Sequence, residues 1–195
     1  MMNITSAESG TRLLDALSVQ LELLGAHYEL VVVGGSALLA LGLIARPTQD
    51  VDVVALRDQE RLAPITPFPP SLETARDRVA RDFRLPTSWL NDGPAALLDF
   101  GLPEGFLERA ERRDYGPALT VWYASRFDQI HFKLYAAVDQ GPGKHESDLR
   151  ALAPSEEELL AAARWSRSHD PSAGYLQQLT LALAAIGVTG ATLTS

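Results

Sequence analysis

The run Glu29-Leu-Val-Val-Val-Gly34-Gly35-Ser36 leaves the backbone few choices. Leu30 to Val33 are continuously apolar and mostly β-branched, the pattern of a buried strand, and the paired glycines end it abruptly. Glycine has no Cβ, so a chain turning there can pass very close to a neighbour. Ser36 is predicted to cap a short helix over Ala37 to Leu43, with Gly42 near its end. A second strand is predicted from Asp50 to Ala55, where Asp50-Val-Asp52-Val alternates polar and apolar residues. Residues i and i+2 of a strand share a face, so Asp50 and Asp52 would present two carboxylates about 7 Å apart along the backbone. Hard divalent cations such as magnesium suit that arrangement.

Elsewhere the pattern alternates between helix and strand. Leu13, Leu14, Leu17, Leu21 and Leu24 recur at helical spacing, predicting a helix from Thr11 to Ala26 that ends near Gly25. Arg57 to Pro70 reads as a proline-rich loop, after which Ser71 is predicted to cap a helix from Leu72 to Phe83. Trp89-Leu90-Asn91-Asp92 suggests a short strand ended by Gly93-Pro94. Ala95 to Tyr115, punctuated by Gly101, Pro103 and Gly105, gives no clear assignment. Leu119 to Ala124 has strand composition, Phe127 to Val138 is an amphipathic helix, Asp139 to Gly143 a turn, and His145 to Leu152 another helix. Ser155-Glu-Glu-Glu158 is a capping box for a helix running to about Ser166. Asp170-Pro171 predicts an N-cap and first-turn proline for the last helix, and Thr189 to Ser195 a frayed end.

Composition narrows the function classes. The 195 residues are 46% hydrophobic, enough for a packed core, and include no cysteine, so disulfides, thiolate metal sites and cysteine nucleophiles are excluded together. No secretory signal is expected from the Met1–Ser6 start, the Asn3-Ile4-Thr5 sequon is read as accidental, and a cytoplasmic protein is expected. The uncharged stretch Leu30 to Ala45 is shorter than the roughly 18–20 residues of a spanning helix, so no membrane segment is expected. A net charge of −8 disfavours nonspecific nucleic-acid binding. Arg76, Arg78, Arg81 and Arg84 could form a local basic patch but fit better as a solvated helix surface.

Other motifs carry less. His27, His131, His145 and His169 are scattered without ligand spacing. Gly141-Pro-Gly143-Lys144 fails as a Walker A loop, having Val138 where the first glycine belongs and His145 where Ser or Thr is needed; a GxGxxG motif is absent too. A strand, Gly-Gly-Ser and helix is either a phosphate-cradling turn or simply a tight connection. Two same-face aspartates repel unless a cation or donor sits between them, so the pair is either a metal site or the solvated face of an edge strand. Arg46 suits a phosphate or one of the aspartates.

Gly34-Gly35-Ser36 followed by Arg46-x-Thr48-x-Asp50-x-Asp52 resembles the signature of the nucleotidyltransferase superfamily with its polymerase-beta-like fold. The resemblance is to small prokaryotic members related to the AbiE abortive-infection toxin and to the DUF6036 proteins. Trp89-Leu90-Asn91-Asp92-Gly93, Asp128 to Lys133 and Lys144 to Leu152 extend it over most of residues 28 to 152. It implies an α/β (α+β) domain over residues 1–152, a small mixed sheet flanked by helices, with a C-terminal helical extension over 153–195. It further implies magnesium-dependent transfer of a nucleoside monophosphate from a nucleoside triphosphate to a hydroxyl of RNA, protein or a small molecule. Gly34, Gly35, Ser36, Arg46, Thr48 and Lys133 would bind the nucleotide, such as ATP, and Asp50 and Asp52 would ligate two magnesium ions. Asp92, with Asp99 behind it, is the candidate third catalytic carboxylate, unless Asp92 serves only to cap the Gly93-Pro94 turn. Lys133 is either a phosphate contact or a solvated lysine, while Lys144 and Asp148 would form a surface i,i+4 pair. The alternative is a catalytically weak nucleotide-binding protein acting through a partner, as in a toxin–antitoxin or defence pair; a scaffold without either activity is a third.

Overall fold

The computed structural model describes residues 4–141 and 143–188, which divide into two compact units, one through Ser125 and one from Arg126. Asn3 of the sequon, Pro142 of the turn and the tail from Thr189 lie outside the described residues.

The first unit contains α1 (Ala7–Leu23), β1 (Tyr28–Val33), α2 (Gly34–Ala40), β2 (Val51–Asp58), β3 (Arg61–Ala63), α3 (Pro70–Phe83) and a 3-10 turn at Thr87–Trp89. It continues with β4 (Leu90–Asn91), α4 (Ala96–Phe100), α5 (Phe106–Arg109), β5 (Glu111–Asp114) and β6 (Leu119–Tyr123). Among the described residues the strands form one six-stranded sheet in the order β3-β2-β1-β6-β5, with β4 beside the other end of β2. Pairing is mixed: β1 runs parallel to β6 and antiparallel to β2, while β4 runs parallel to β2. This is the α+β architecture the resemblance implied.

The hydrophobic periodicity of α1 becomes a buried stripe of Leu13, Leu14, Leu17 and Leu21. In this core they join Leu30, Val32, Val51, Val53, Leu119 and Val121 of the sheet and Leu72, Ala75 and Val79 of α3. Each buried aliphatic side chain contributes roughly 1.5–3 kcal/mol of transfer free energy. Trp89 is fully buried in the same core, and its indole N–H donates to the Arg76 carbonyl at 3.1 Å. On α3, Arg76 pairs with Glu73 and Asp77, Arg81 with Asp82, and Arg78 donates to Gln20.

Several boundaries differ from the sequence expectations, each for a local reason. Helix α1 starts four residues before Thr11, because Ser6 and Ser9 form a reciprocal capping box. Ser36 is not a cap: α2 begins at Gly34 straight from the extended Val33, so Ser36 lies inside its first turn. Ser71 is not a cap either, since Pro69 holds that position in α3 and the Ser71 hydroxyl meets the Tyr28 hydroxyl at 2.6 Å. The expected loop after Arg57 contains β3, paired back onto β2. The unassigned stretch from Ala95 resolves into α4, α5 and the edge strand β5, pieces too short to build a periodic signal.

The second unit contains α6 (Arg126–Gln140), α7 (Lys144–Ala151), α8 (Glu156–His169) and α9 (Ala173–Ala185). The Ser155 capping box forms as predicted: its hydroxyl accepts from the Glu158 N–H at 3.2 Å, and Glu158 accepts from the Ser155 N–H at 2.8 Å. Trp165 of α8 packs edge-on against His131, Phe132 and Tyr135 of α6. The last helix is capped by Ser172 and not by Asp170; the Asp170 carboxylate instead accepts from the Ser172 N–H at 2.8 Å, holding the cap in place and lowering the acid's pKa.

Candidate functional site

One irregularity in the sheet places Asp52. Leu30 faces Leu56 and Val31 faces Ala55, but the register then slips so that Val32 faces Val53 and Val33 faces Asp52. The extra residue on β2 is Val54, which makes this a bulge. Because side chains alternate, a one-residue slip exchanges the two faces of a strand. Without it Val53 would leave the core face shared with Leu30 and Val32, and Asp52 would enter it. The bulge keeps Val51 and Val53 inside and puts the Asp52 carboxylate on the opposite face, level with the last residue of β1.

Gly34 follows that residue with φ of +76°, a left-handed conformation that a side chain opposes. A Cβ on Gly34 would strike Asp52 Oδ2 and lie 3.3 Å from Asp52 Cγ. A Cβ on Gly35 would sit 2.8 Å from Thr48 Oγ1 and 3.6 Å from Arg46 Nη2. Both glycines are therefore required by close approach, and the paired turn meets Arg46, Thr48 and Asp52 of the second motif. Thr48 is 6% exposed and held by a two-bond antiparallel bridge with Ile4, at 2.8 and 3.0 Å. Arg46 donates to the Pro47 carbonyl at 3.2 Å. Asp50 is half-buried and immediately precedes β2.

On the far side of β2, the parallel neighbour pairs Asp52 with Asn91. Asn91 Nδ2 donates to Asp52 Oδ1 at 3.1 Å, while Asn91 Oδ1 accepts from the Gly93 N–H at 2.8 Å. The second bond is an Asx turn, and it fixes the amide so that its NH2 group points to the carboxylate. Asp92, the candidate third acid, accepts instead from the Thr66 hydroxyl at 2.7 Å. Asp99 lies on α4. Among the described residues no group of three or more His, Asp or Glu side chains gathers to hold a metal ion. Sequence reasoning did not single out Asn91, Val54 or Ile4; of these only Asn91 had a signal, the turn-forming Asn-Asp-Gly triplet.

Ser36 borders a different surface from the two glycines. It is 8% exposed, and its hydroxyl oxygen is buried without a hydrogen-bond partner among the described residues. Lys133 is not the solvated lysine of one sequence reading. Within the second unit its ammonium lies 2.8 Å from Asp148 Oδ2, the two side chains being 5% and 1% exposed. Asp148 thus pairs across to α6 rather than with Lys144 one helical turn away.

Residues 12–143 match the family described as "Nucleotidyltransferase of unknown function (DUF6036)". The chain belongs to this family. No curated protein and no solved structure matches it. Among the described residues, no helix is long and apolar enough to cross a membrane.

Proposed function

We propose that this nucleotidyltransferase-family protein binds a magnesium-bound nucleoside triphosphate at the Gly34-Gly35 turn and the Asp50–Asp52 pair, and transfers its nucleoside monophosphate to a hydroxyl acceptor. The observation that carries the reading is the contact of the Asp52 carboxylate with Gly34, which brings an acid of the second motif against the turn of the first. The donor set fits the metal: aspartate oxygens are hard ligands, and magnesium is commonly held by one or two carboxylates together with substrate phosphates. Once bound, the metal would neutralise phosphate charge and polarise the phosphoryl group.

The chain's own contribution is positioning. Asp52 is fixed by Gly34 on one side and by the Asn91 amide on the other. Arg46, beside Gly35, supplies a cation suited to a phosphate. In the transfer, the acceptor oxygen forms a bond to the α-phosphorus, the bond from that phosphorus to the bridging oxygen breaks, pyrophosphate leaves, and the hydroxyl proton passes to water.

A second reading, a nucleotide-binding protein that catalyses weakly and acts through a partner, is favoured by Asn91. The register position beside Asp52 holds a neutral amide where a third carboxylate would help an acceptor hydroxyl lose its proton. Incubation with labelled nucleoside triphosphates, magnesium and a cell extract tests the first reading. Label transfer by the wild type that is lost in an Asp50→Ala, Asp52→Ala variant is expected, and transfer that persists in the variant would sink it. Magnesium-dependent nucleotide binding without transfer favours the second, in which case Asn91→Asp is expected to raise transfer.

A further inference from the structure

We infer that one internal water molecule binds beneath the glycine turn, held by Ser36 and a buried tyrosine pair, and that it ties α2 to β6. This inference stands apart from the nucleotide reading. Ser36 Oγ is out of contact with solvent and has no hydrogen-bond partner among the described residues. A hydroxyl carries one donor and two acceptor lone pairs, and buried polar groups in folded proteins are almost always satisfied by protein or by ordered water.

Ser36 borders a cavity of about 20 Å³ that is also lined by Ser6, Thr11, Tyr115 and Tyr123. An internal water needs roughly 10–15 Å³ of free space and two to four polar neighbours. The cavity therefore has room for one water. The neighbours are at hand. The Tyr115 and Tyr123 hydroxyls lie 2.7 Å apart and share one hydrogen bond. Two hydroxyls bring two protons, so the pair keeps one O–H and several lone pairs for a further partner. Burial pushes the Tyr123 phenol well above its ordinary pKa, so it keeps its proton.

The consequence is a role for Ser36 that its place in the motif does not announce. Gly34 and Gly35 face the Asp52, Thr48 and Arg46 side chains, while Ser36 faces the interior. Its hydroxyl is a positioning group for α2, anchored through water to the strand on the other side of β1.

The test uses the full chain. A crystal structure that resolves ordered water is expected to show a density peak within hydrogen-bond distance of Ser36 Oγ and of a tyrosine hydroxyl. Thermal unfolding of Ser36→Ala, Tyr123→Phe and the double variant should give a double-variant loss in Tm smaller than the sum of the single losses. Tyr115→Phe replaces Tyr123→Phe if the latter does not fold. A cavity with no peak, a Ser36 hydroxyl bonded directly to a backbone carbonyl, or additive losses in Tm would each overturn the inference.

Discussion

Gly34→Ala separates two costs that the structure assigns to the same atom. At φ of +76° an alanine must adopt a left-handed conformation, which costs about 1–2 kcal/mol. Its Cβ would also collide with Asp52 Oδ2, and the carboxylate can yield only by abandoning its 3.1 Å bond from Asn91. Hydrogen bonds to a charged group are worth about 1.5–3 kcal/mol, so the combined loss is about 2.5–5 kcal/mol. Gly42 provides the control, because its φ is +72° and nothing lies within 4 Å of a Cβ built there. Gly42→Ala should therefore show the conformational cost alone, about 1–2 kcal/mol. In an Asp52→Ala background the obstructing oxygen is gone, and Gly34→Ala should fall to the Gly42→Ala value. Urea unfolding followed by tryptophan fluorescence measures each difference, and the cycle should return a coupling of about 1.5–3 kcal/mol. Equal costs of Gly34→Ala in both backgrounds, or a cost no greater than that of Gly42→Ala, would refute the contact argument.

Two further predictions concern the helical unit. Lys133→Ala leaves the 1% exposed Asp148 side chain without its ammonium and should destabilise by about 3–5 kcal/mol in chemical denaturation, whereas Lys133→Met with Asp148→Leu should be close to neutral. Glu158 binds the Arg126 guanidinium through both oxygens, at 2.6 and 3.1 Å, and this lowers its pKa from 4.5. Below 4.5 the unfolded chain takes up a proton that the folded chain refuses, so stability from this pair is present above that pH and lost as pH falls through the lowered value. Glu158→Gln should flatten the pH dependence of Tm in that acidic window and leave its slope near neutrality unchanged.

The fold was readable where one physical signal dominated. The leucine period of α1, the β-branched run of β1 and the Ser155 capping box each specify an element through interactions within a few residues. Failures came at helix starts: α3 begins at the first-turn Pro70 without a side-chain cap, so Ser71 falls inside it, and Asp170 gave way to Ser172 as the cap of α9. The strand β3 is three residues long and exists only because β2 offers it an edge. The site was half readable for the same reason. Close approach at Gly34 and Gly35 followed from the residue type, but the place of Asp52 depends on a register slip at Val54, where the alternation of Asp50 to Val53 gives way to the apolar run Val53-Val54-Ala55 without showing which residue is the extra one. The solvated reading of Lys133 failed because a helix pattern shows that a lysine lies on a face without showing that an aspartate from the next helix waits there.

The two aspartates of the pair are not equivalent. Asp52 sits within β2, paired with Val33 on one side and Asn91 on the other, its carboxylate held between the Gly34 backbone and a fixed amide. Strand pairing on both edges removes its freedom to relocate, and the Asx turn at Asn91 orients the donor that meets it. Asp50 lies one residue before the strand, at the end of the connection that carries Arg46 and Thr48. That connection is anchored further back, at Thr48, by its bridge to Ile4. Fixed points at Thr48 and Val51 leave only two residues between them, so Asp50 can turn its side chain to meet a ligand but cannot carry its backbone away. If the pair holds a metal as proposed, a rigid acid beside an adjustable one would suit a cation that arrives already bound to phosphate, because the first would set the position and the second would adapt to the oxygens of the nucleotide.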